Sequence, residues 1–422
     1  MPGPTRNTPL LNDQLREHNR LLVYRCVRRQ PGARLSRTDI TRDTKLSVPT
    51  ISAILREFTA LGVVEEVGQS VTRGGRPAQL VSFRPEAFHV LAVDLSAATF
   101  QAALVDLLGR PAQRFKAQHA DSGRLEAWLG EILSQARAQH NVERLAIAVP
   151  GVVERGTGNV KMAPALGLDD YPLAARLARS LGLPVLLEND VNSLANAELH
   201  YGQSADLDDV IYLSITSGIG VGIVTNRQIY RGSSSAAGEI GYSTLVHIPR
   251  QEGPRLGRPG ALEEHLFGLA RKFTGPEGID LSSEGAREAF GHFSQDLSVI
   301  VHNIVCLLNP ERLVVSWPLD GENLLTEELA RRLNAPVPVE VSASSLGADG
   351  ALLGVARLAL DELEVDLCST AWTTHGAAAA AGDRPAVELA GGGKGGTSRG
   401  ARKQGTARVR APAAAQEDSG SK

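Results

Sequence analysis

The sequence predicts an α/β protein led by a small helical head. Three observations predict it. Residues 85–362 alternate short apolar strands with amphipathic helices, the pattern of α/β domains. Residues 1–84 hold two short helices around a tight turn, followed by a strand pair. The stretch Ser214–Gly222 places Gly218, Gly220 and Gly222 at alternate positions after an apolar strand, where backbone without a Cβ can approach a phosphate.

In the head, Leu15–Arg29 carries Leu15, Leu22, Val23, Cys26 and Val27 at helical spacing, a supporting helix. Ser36 caps a second helix, with Asp39 in its first turn. Lys45-Leu46 makes the turn. Ser47 caps the third helix, Val48–Leu61, and Pro49 sits in its first turn, where a missing N–H costs little. Ile51, Ile54, Leu55, Phe58 and Leu61 form the apolar stripe of that helix. Its opposite face offers Thr50, Ala53 and Arg56, small or basic groups that fit a major groove. Residues 62–67 and 80–83 then read as two strands of a wing, with Arg73 and Arg76 at its tip for phosphates or a narrow minor groove. The competing reading is a helical hairpin packed on the body, its arginines serving solubility.

In the body, Val90–Asp94, Phe100–Asp106 and Arg114–Gln118 read as strands, Leu125–Ala138 as a helix and Leu145–Val149 as a buried strand. The loop after Asp94, Leu95-Ser96-Ala97-Ala98, has no glycine, so one side of a phosphate cradle is missing. Val185–Asn192 (V-L-L-E-N-D-V-N) is a buried strand that delivers Asn189 and Asp190 at its carboxyl end, where open α/β sheets bind ligands. Asp190 also suits an N-cap of a helix Val191–His200; both roles can hold. Strands Val210–Ile215 and Gly222–Thr225 and helices Ala261–Lys272 and His292–Leu308 follow, and Asp349–Ala359 is a closing helix.

Leu46-Ser47-Val48-Pro49-Thr50-Ile51 and Gly74-Gly75-Arg76-Pro77 resemble the recognition helix and wing of ROK-family regulators (repressors, open reading frames and kinases), and the likeness continues to about residue 362. The resemblance implies two ribonuclease-H-like lobes of the hexokinase–actin type, the sugar-kinase fold, hinged about a ligand cleft. It implies domains at 1–84, at 85–206 with 349–365, and at 207–348. It also implies a sugar site. The aspartate matching Asp190 is the base in kinases of the family, and Asn189 stands beside it. Gly238-Glu239-Ile240-Gly241-Tyr242 matches a Gly-Glu-Ile-Gly-His signature, so Glu239 inherits a sugar contact; Tyr242 replaces a histidine that binds both sugar and a structural zinc, and its phenol is a sugar contact that can donate to a hydroxyl or stack on a sugar face but is a poor zinc ligand. The family's C-x-C-G-x-x-G-C-x-E aligns with 254–263, where Pro254, Leu256 and Ala261 replace the cysteines. No structural zinc, and no other cofactor, is therefore expected. Glu263 is kept, as a sugar contact or a solvated residue at a helix start. After Asn309–Val315 the kinases place a glycine pair; Ser316-Trp317 stands here, and the indole is expected to obstruct adenosine.

The net charge of −3 hides an asymmetry. Residues 1–84 carry 14 basic and 7 acidic groups, residues 390–422 carry 7 and 2, and the rest holds 23 and 38. A basic head on an acidic body points to a polyanion partner. No run of eighteen apolar residues predicts a membrane span, no apolar signal region follows Met1, and the three cysteines lie far apart, so a cytoplasmic chain is expected. The Ala/Gly/basic stretch 366–422 lacks apolar periodicity and is expected to be disordered. The expected function is that of a bacterial sugar-responsive repressor without kinase activity. It would bind operator DNA as a homodimer or homotetramer, and a sugar or sugar derivative between its lobes. A sugar kinase with a DNA-binding head, and a regulator that has lost its ligand, are the alternatives.

Overall fold

A computed structural model describes residues 12–70, 77–96, 99–117, 122–216, 218–248, 260–334 and 336–369. The head begins with α1 (Asn12–Arg28), β1 (Leu35–Ser36), α2 (Arg37–Thr44) and α3 (Val48–Ala60), and ends with β2 (Val64–Gln69) and β3 (Gln79–Phe83). Ser36 and Asp39 form a reciprocal capping box at α2: Ser36 Oγ accepts from the Asp39 amide at 3.2 Å, and Asp39 Oδ2 accepts from the Ser36 amide at 3.0 Å. Lys45, in the left-handed region at φ 62°, ends α2. Ser47 caps α3, accepting from the Thr50 amide at 3.3 Å. Ile51, Ile54, Leu55 and Phe58 are buried, with Phe58 edge-on to Tyr24. Leu61, expected in that stripe, is only half-buried, because α3 has ended and Leu61 is its C-cap. Strand β1 joins β2 and β3 in an antiparallel sheet ordered β1-β3-β2. This element order is that of a winged helix-turn-helix. The wing tip, with Arg73 and Arg76, lies outside the described residues.

The first lobe contains β4 (His89–Asp94), β5 (Gln101–Asp106), β6 (Pro111–Lys116), α4 (Leu125–Arg137) and β7 (Val142–Val149). A small antiparallel sheet of β8 (Val152–Glu154), β9 (Asn159–Ala163) and β10 (Leu168–Tyr171) follows, then α5 (Leu173–Leu181), β11 (Val185–Asn189) and α6 (Asp190–Tyr201). The second lobe contains β12 (Val210–Ile215), β13 (Ile219–Thr225), β14 (Gln228–Ile229), α7 (Ala261–Ala270), β15 (Thr274–Gly275), β16 (Gly278–Ile279), α8 (Glu284–Leu308), β17 (Arg312–Ser316), α9 (Leu324–Arg332) and β18 (Glu340–Ala343). The chain returns through α10 (Gly350–Cys368), which lies across β4 and β7 beside α6.

The two large sheets repeat one topology. In the order β6-β5-β4-β7-β11 the first three strands are antiparallel and the last two join in parallel; β14-β13-β12-β17-β18 does the same. The carboxyl ends of the parallel strands then carry the loops that bind ligands in such sheets.

Three expectations are corrected. The strand expected at Arg114–Gln118 is β6, Pro111–Lys116; it pairs with β5 immediately after the Gly109 turn. The helix expected from His292 starts at Glu284 under a Ser283 cap, and its glycines, Gly285 and Gly291, had masked the first turns. The closing helix runs nine residues past Ala359, so residues 366–368, expected in the disordered tail, are helical, with Leu367 and Cys368 buried. The rest of that tail, from residue 370, lies outside the described residues.

Helix α10 meets α6 backbone to backbone. A Cβ on Gly354 would overlap the Ser193 carbonyl oxygen, and Asn196 Nδ2 donates to Gly354 O at 3.0 Å. Gly354→Ala is therefore expected to lower stability by ~1–3 kcal/mol, the usual cost of overpacking. Urea melts test this, and an unchanged midpoint would show that α10 can shift freely on α6.

Candidate sugar cleft and candidate DNA-binding helix

The site starts at the junction of β11 and α6. Asn189 caps α6: its Oδ1 accepts from the Asn192 amide at 2.9 Å, while its Nδ2 donates to Gly151 O at 2.9 Å. The capping role open to Asp190 thus falls to Asn189, whose side chain is engaged in holding the turn. Asp190 is the first helical residue and is buried. Its Oδ1 accepts from the Val191 amide at 3.0 Å and from Asn189 Nδ2 at 3.2 Å, and among the described residues no cation forms an ion pair with it.

Glu188, one residue earlier, is the structural hub. It is 1% exposed. Its Oε2 receives Arg155 at 3.0 Å and Arg231 at 2.6 Å, and its Oε1 accepts from Asn192 Nδ2 at 3.1 Å. Arg231 belongs to the second lobe, so this buried pair ties the two lobes together. A buried carboxylate needs such compensation.

Four buried or half-buried carboxyls form an electrostatically linked row: Asp94, Asp190, Glu239 and Glu263. Burial, with the neighbouring Asp94, pushes Asp190 up to about 8. Burial, then repulsion from Glu263, pushes Glu239 up to about 7. Burial also raises Asp94, against hydrogen bonds from the Ser96 amide and hydroxyl at 2.8 and 2.5 Å. Glu263 is raised by burial and partly relieved by the Ile219 amide at 3.3 Å. Near neutral pH the row holds protons, so it offers both hydroxyl donors and acceptors, the complement of a polyol.

The sequence-predicted residues fall into two groups. Asp190, Glu239 and Glu263 come together, with Asn189 behind them. Tyr242 lies in the turn after Glu239, and its hydroxyl donates to Met162 Sδ of β9 at 3.6 Å. In the head, Ser47, Pro49 and Arg56 are exposed and Thr50 and Ala53 half-exposed along the outer side of α3, away from its buried stripe. Sequence reasoning missed Asp94, Glu188, Arg155 and Arg231. Asp94 was findable: like Asn189, it stands at the carboxyl end of a largely apolar strand.

Two nucleotide readings change. Gly220 and Gly222 face α6: a Cβ on Gly222 would lie 2.9 Å from Val191 O and overlap Ala195, so at least these two glycines serve helix approach. Trp317 is turned inward, stacked on Phe293 at 5.2 Å and edge-on to Phe273, so its indole fills the second-lobe core and does not obstruct the cleft. Ala97 and Ala98 lie outside the described residues.

The family's zinc does not fit its usual position here. The histidine position is Tyr242, engaged with Met162, and the last cysteine position is Ala261 at the start of α7. Positions 254 and 256 lie outside the described residues, and the sequence places Pro and Leu there.

The ROK family profile matches residues 90–362, more than half of the chain. The chain belongs to the ROK family. A xylose repressor of Caldicellulosiruptor bescii is 24% identical over 335 residues, covering 71% of this chain and 83% of its own. A solved ROK transcriptional regulator, a homolog of the E. coli MLC protein, superposes with a TM-score of 0.66 at 21% identity, over 84% of this chain and 99% of its own. A ROK glucokinase from Streptomyces griseus, solved with glucose and AMPPNP, gives 0.54 at 22% identity over 64% and 98%. This ROK chain therefore has the two-lobed hexokinase–actin body. Among the described residues no helix is long and apolar enough to cross a membrane.

The raised carboxyls predict a pH dependence for the ROK body. Between the ordinary values of 3.8 and 4.5 and the folded values of about 8 and about 7, the native state keeps protons that the unfolded chain has released. Stability should fall as pH rises through that window, with a limiting slope of about 1.4 kcal/mol per pH unit for each proton. Asp190→Asn, a neutral isostere, should flatten the slope toward pH 8. Urea melts across pH decide it; parallel wild-type and variant curves would remove the premise.

Proposed function

We propose that this ROK protein is a sugar-responsive, DNA-binding transcriptional repressor that does not transfer phosphate. One observation carries the reading: a continuous packed path runs from the carboxyl row to the head. Asp190 opens α6, α6 is pressed on α10, and α10 grips α1. Arg25 Nε donates to Glu364 Oε1 at 2.6 Å, Arg28 pairs with the same carboxylate, and buried Arg20 donates to Leu367 O at 2.9 Å. Arg20 also faces Glu57 of α3 at 3.4 Å. Lobe closure around a sugar would move α6 and α10 and, through them, the helix that faces DNA. Ligand and DNA affinities would then be linked, and linkage is reciprocal.

The outer side of α3, with Ser47, Pro49, Thr50, Ala53 and Arg56, would enter the major groove, with Arg73 and Arg76 on the flanking backbone or minor groove. A dimer or tetramer would match an inverted-repeat operator. The named xylose repressor supports a monosaccharide effector. The kinase alternative keeps one supporting observation, the inward Trp317, which leaves the cleft open on that side.

Operator titrations by fluorescence anisotropy, with and without xylose, glucose and their phosphates, test the linkage. A sugar should shift operator affinity, and Asp190→Ala should abolish the shift with DNA binding intact. Arg56→Ala should cost ~1–3 kcal/mol of operator affinity. Glu364→Gln should keep DNA binding and blunt the response. No shift with any sugar would defeat the sensing function, and sugar-dependent ADP release above background would establish the kinase.

A further inference from the structure

We propose that His247, His265 and Asp296 form a binding site for a divalent transition-metal ion, separate from the cysteine set that the family resemblance brought into view. These three residues are 18 and 31 positions apart and carry no sequence motif. The fold brings them together from three segments. His247 lies in the loop after the Glu239–Tyr242 turn, His265 on α7, and Asp296 on α8. Both imidazole Nε2 atoms converge on one oxygen, Asp296 Oδ2, at 3.1 Å and 2.7 Å. All three donor atoms lie within 4.8 Å of one another. Ligands held at about 2.0–2.1 Å around a tetrahedral ion stand about 3.3 Å apart, so modest rotamer changes would admit one.

The donor set selects the metal class. Two imidazoles and one carboxylate suit Zn²⁺, Co²⁺ or Ni²⁺ over the all-oxygen preference of Mg²⁺ and Ca²⁺. Three protein ligands leave a fourth position for water. The burial gradient fits as well: Asp296 is anchored in a helix and largely buried, while His247 is 56% exposed at the side chain and leaves a route for the ion.

The position suggests a task. His247 is eight residues beyond Glu239, and His265 is two beyond Glu263 on the same helix. An ion there would clip the turn bearing Glu239 to the helix bearing Glu263. That role in ordering the cleft rests on the sugar reading above; metal binding itself does not.

The test uses untagged full-length protein stripped with EDTA and titrated with Co²⁺. Visible d–d absorption should grow to saturation at an equimolar ratio and be displaced by Zn²⁺, and Zn²⁺ should raise the thermal midpoint. His265→Ala, Asp296→Asn and His247→Ala should each weaken Co²⁺ binding by at least the 10–100-fold typical of losing even an outer partner. His247→Ala, in an exposed loop, keeps the test valid if a helix variant fails to fold. Cys306→Ser is the control, because exposed Cys306 lies 3.5 Å from His302 Nε2 and could bind metal adventitiously. Its spectrum should match the wild type. A wild-type protein without the absorption would overturn the proposal and leave the three groups as a hydrogen-bonded hub. So would a spectrum unchanged in His247→Ala, or one abolished in Cys306→Ser. None of these outcomes bears on sugar or operator binding, so the two proposals fail separately.

Discussion

Everything in this fold turns on how closely helix α6 is held. On one side Gly354 brings the α10 backbone onto the Ser193 carbonyl, and on the other Gly220 and Gly222 bring β13 onto Val191 and Ala195. Gly354 meets backbone, and Gly222 meets the Val191 carbonyl and the Ala195 Cβ, none of which can yield by changing rotamer. Cores packed in this way switch between discrete arrangements and deform little within one. A displacement at the first turn of α6, where Asp190 sits, is therefore expected to travel as rigid-body motion of the helix. Glu188 adds a second restraint immediately before that turn, since Arg155 and Arg231 hold it from two directions.

The far end of the path is electrostatic. Glu364 is 3% exposed and receives two arginines of α1, and Arg20 is fully buried between the Leu367 carbonyl and Glu57. Buried pairs of this kind contribute little net stability over apolar packing, yet removing one partner is expensive. Their value lies in directionality: a hydrophobic contact between α1 and α10 would tolerate sliding, whereas a fork of arginines on one carboxylate does not. One apolar core runs without interruption from Tyr24 and Phe58 of the head, through Leu363 and Val355 of α10, to Ala195 and Leu199 of α6. Head and cleft are thus joined by a stiff element with charged registration at one end and glycine contact at the other.

Much of this was legible in the sequence, and the failures share a cause. Caps and local periodicity were readable because the interacting groups lie within four residues: Ser36 with Asp39, Ser47 with Thr50, the stripe on α3. The strands ending in Asp94 and Asn189 were readable from apolar runs. What escaped depends on partners far away in the chain. Arg25 and Glu364 are separated by 339 positions, and no pattern in either neighbourhood names the other. The last turn of α10 looked like the edge of an alanine- and glycine-rich tail because its apolar partners are on α1. The glycine row had two physical uses, phosphate approach and helix approach, and only the position of α6 separates them. Trp317 had likewise two destinations, and the aromatic pocket of Phe273 and Phe293 decided between them.

Under the proposed function, the carboxyl row would let ligand recognition outlast the loss of phosphoryl transfer. Phosphoryl transfer requires charge stabilisation on the nucleotide side of the cleft, aimed at atoms that exist only in the transition state. Hydroxyl recognition requires a ground-state arrangement of donors and acceptors, which Asp190, Glu239 and Glu263 would supply under the proposed function. Burial leaves these groups poorly solvated when the cleft is empty, and their raised affinity for protons records that cost. Sugar hydroxyls would supply the missing partners and favour the closed arrangement over the open one. A ligand shifts a conformational equilibrium only by its difference in affinity for the two states. Under the proposed function, the burial of these acids would build that difference into the protein before any sugar arrives, and the packed path through α6 and α10 would determine where it is felt.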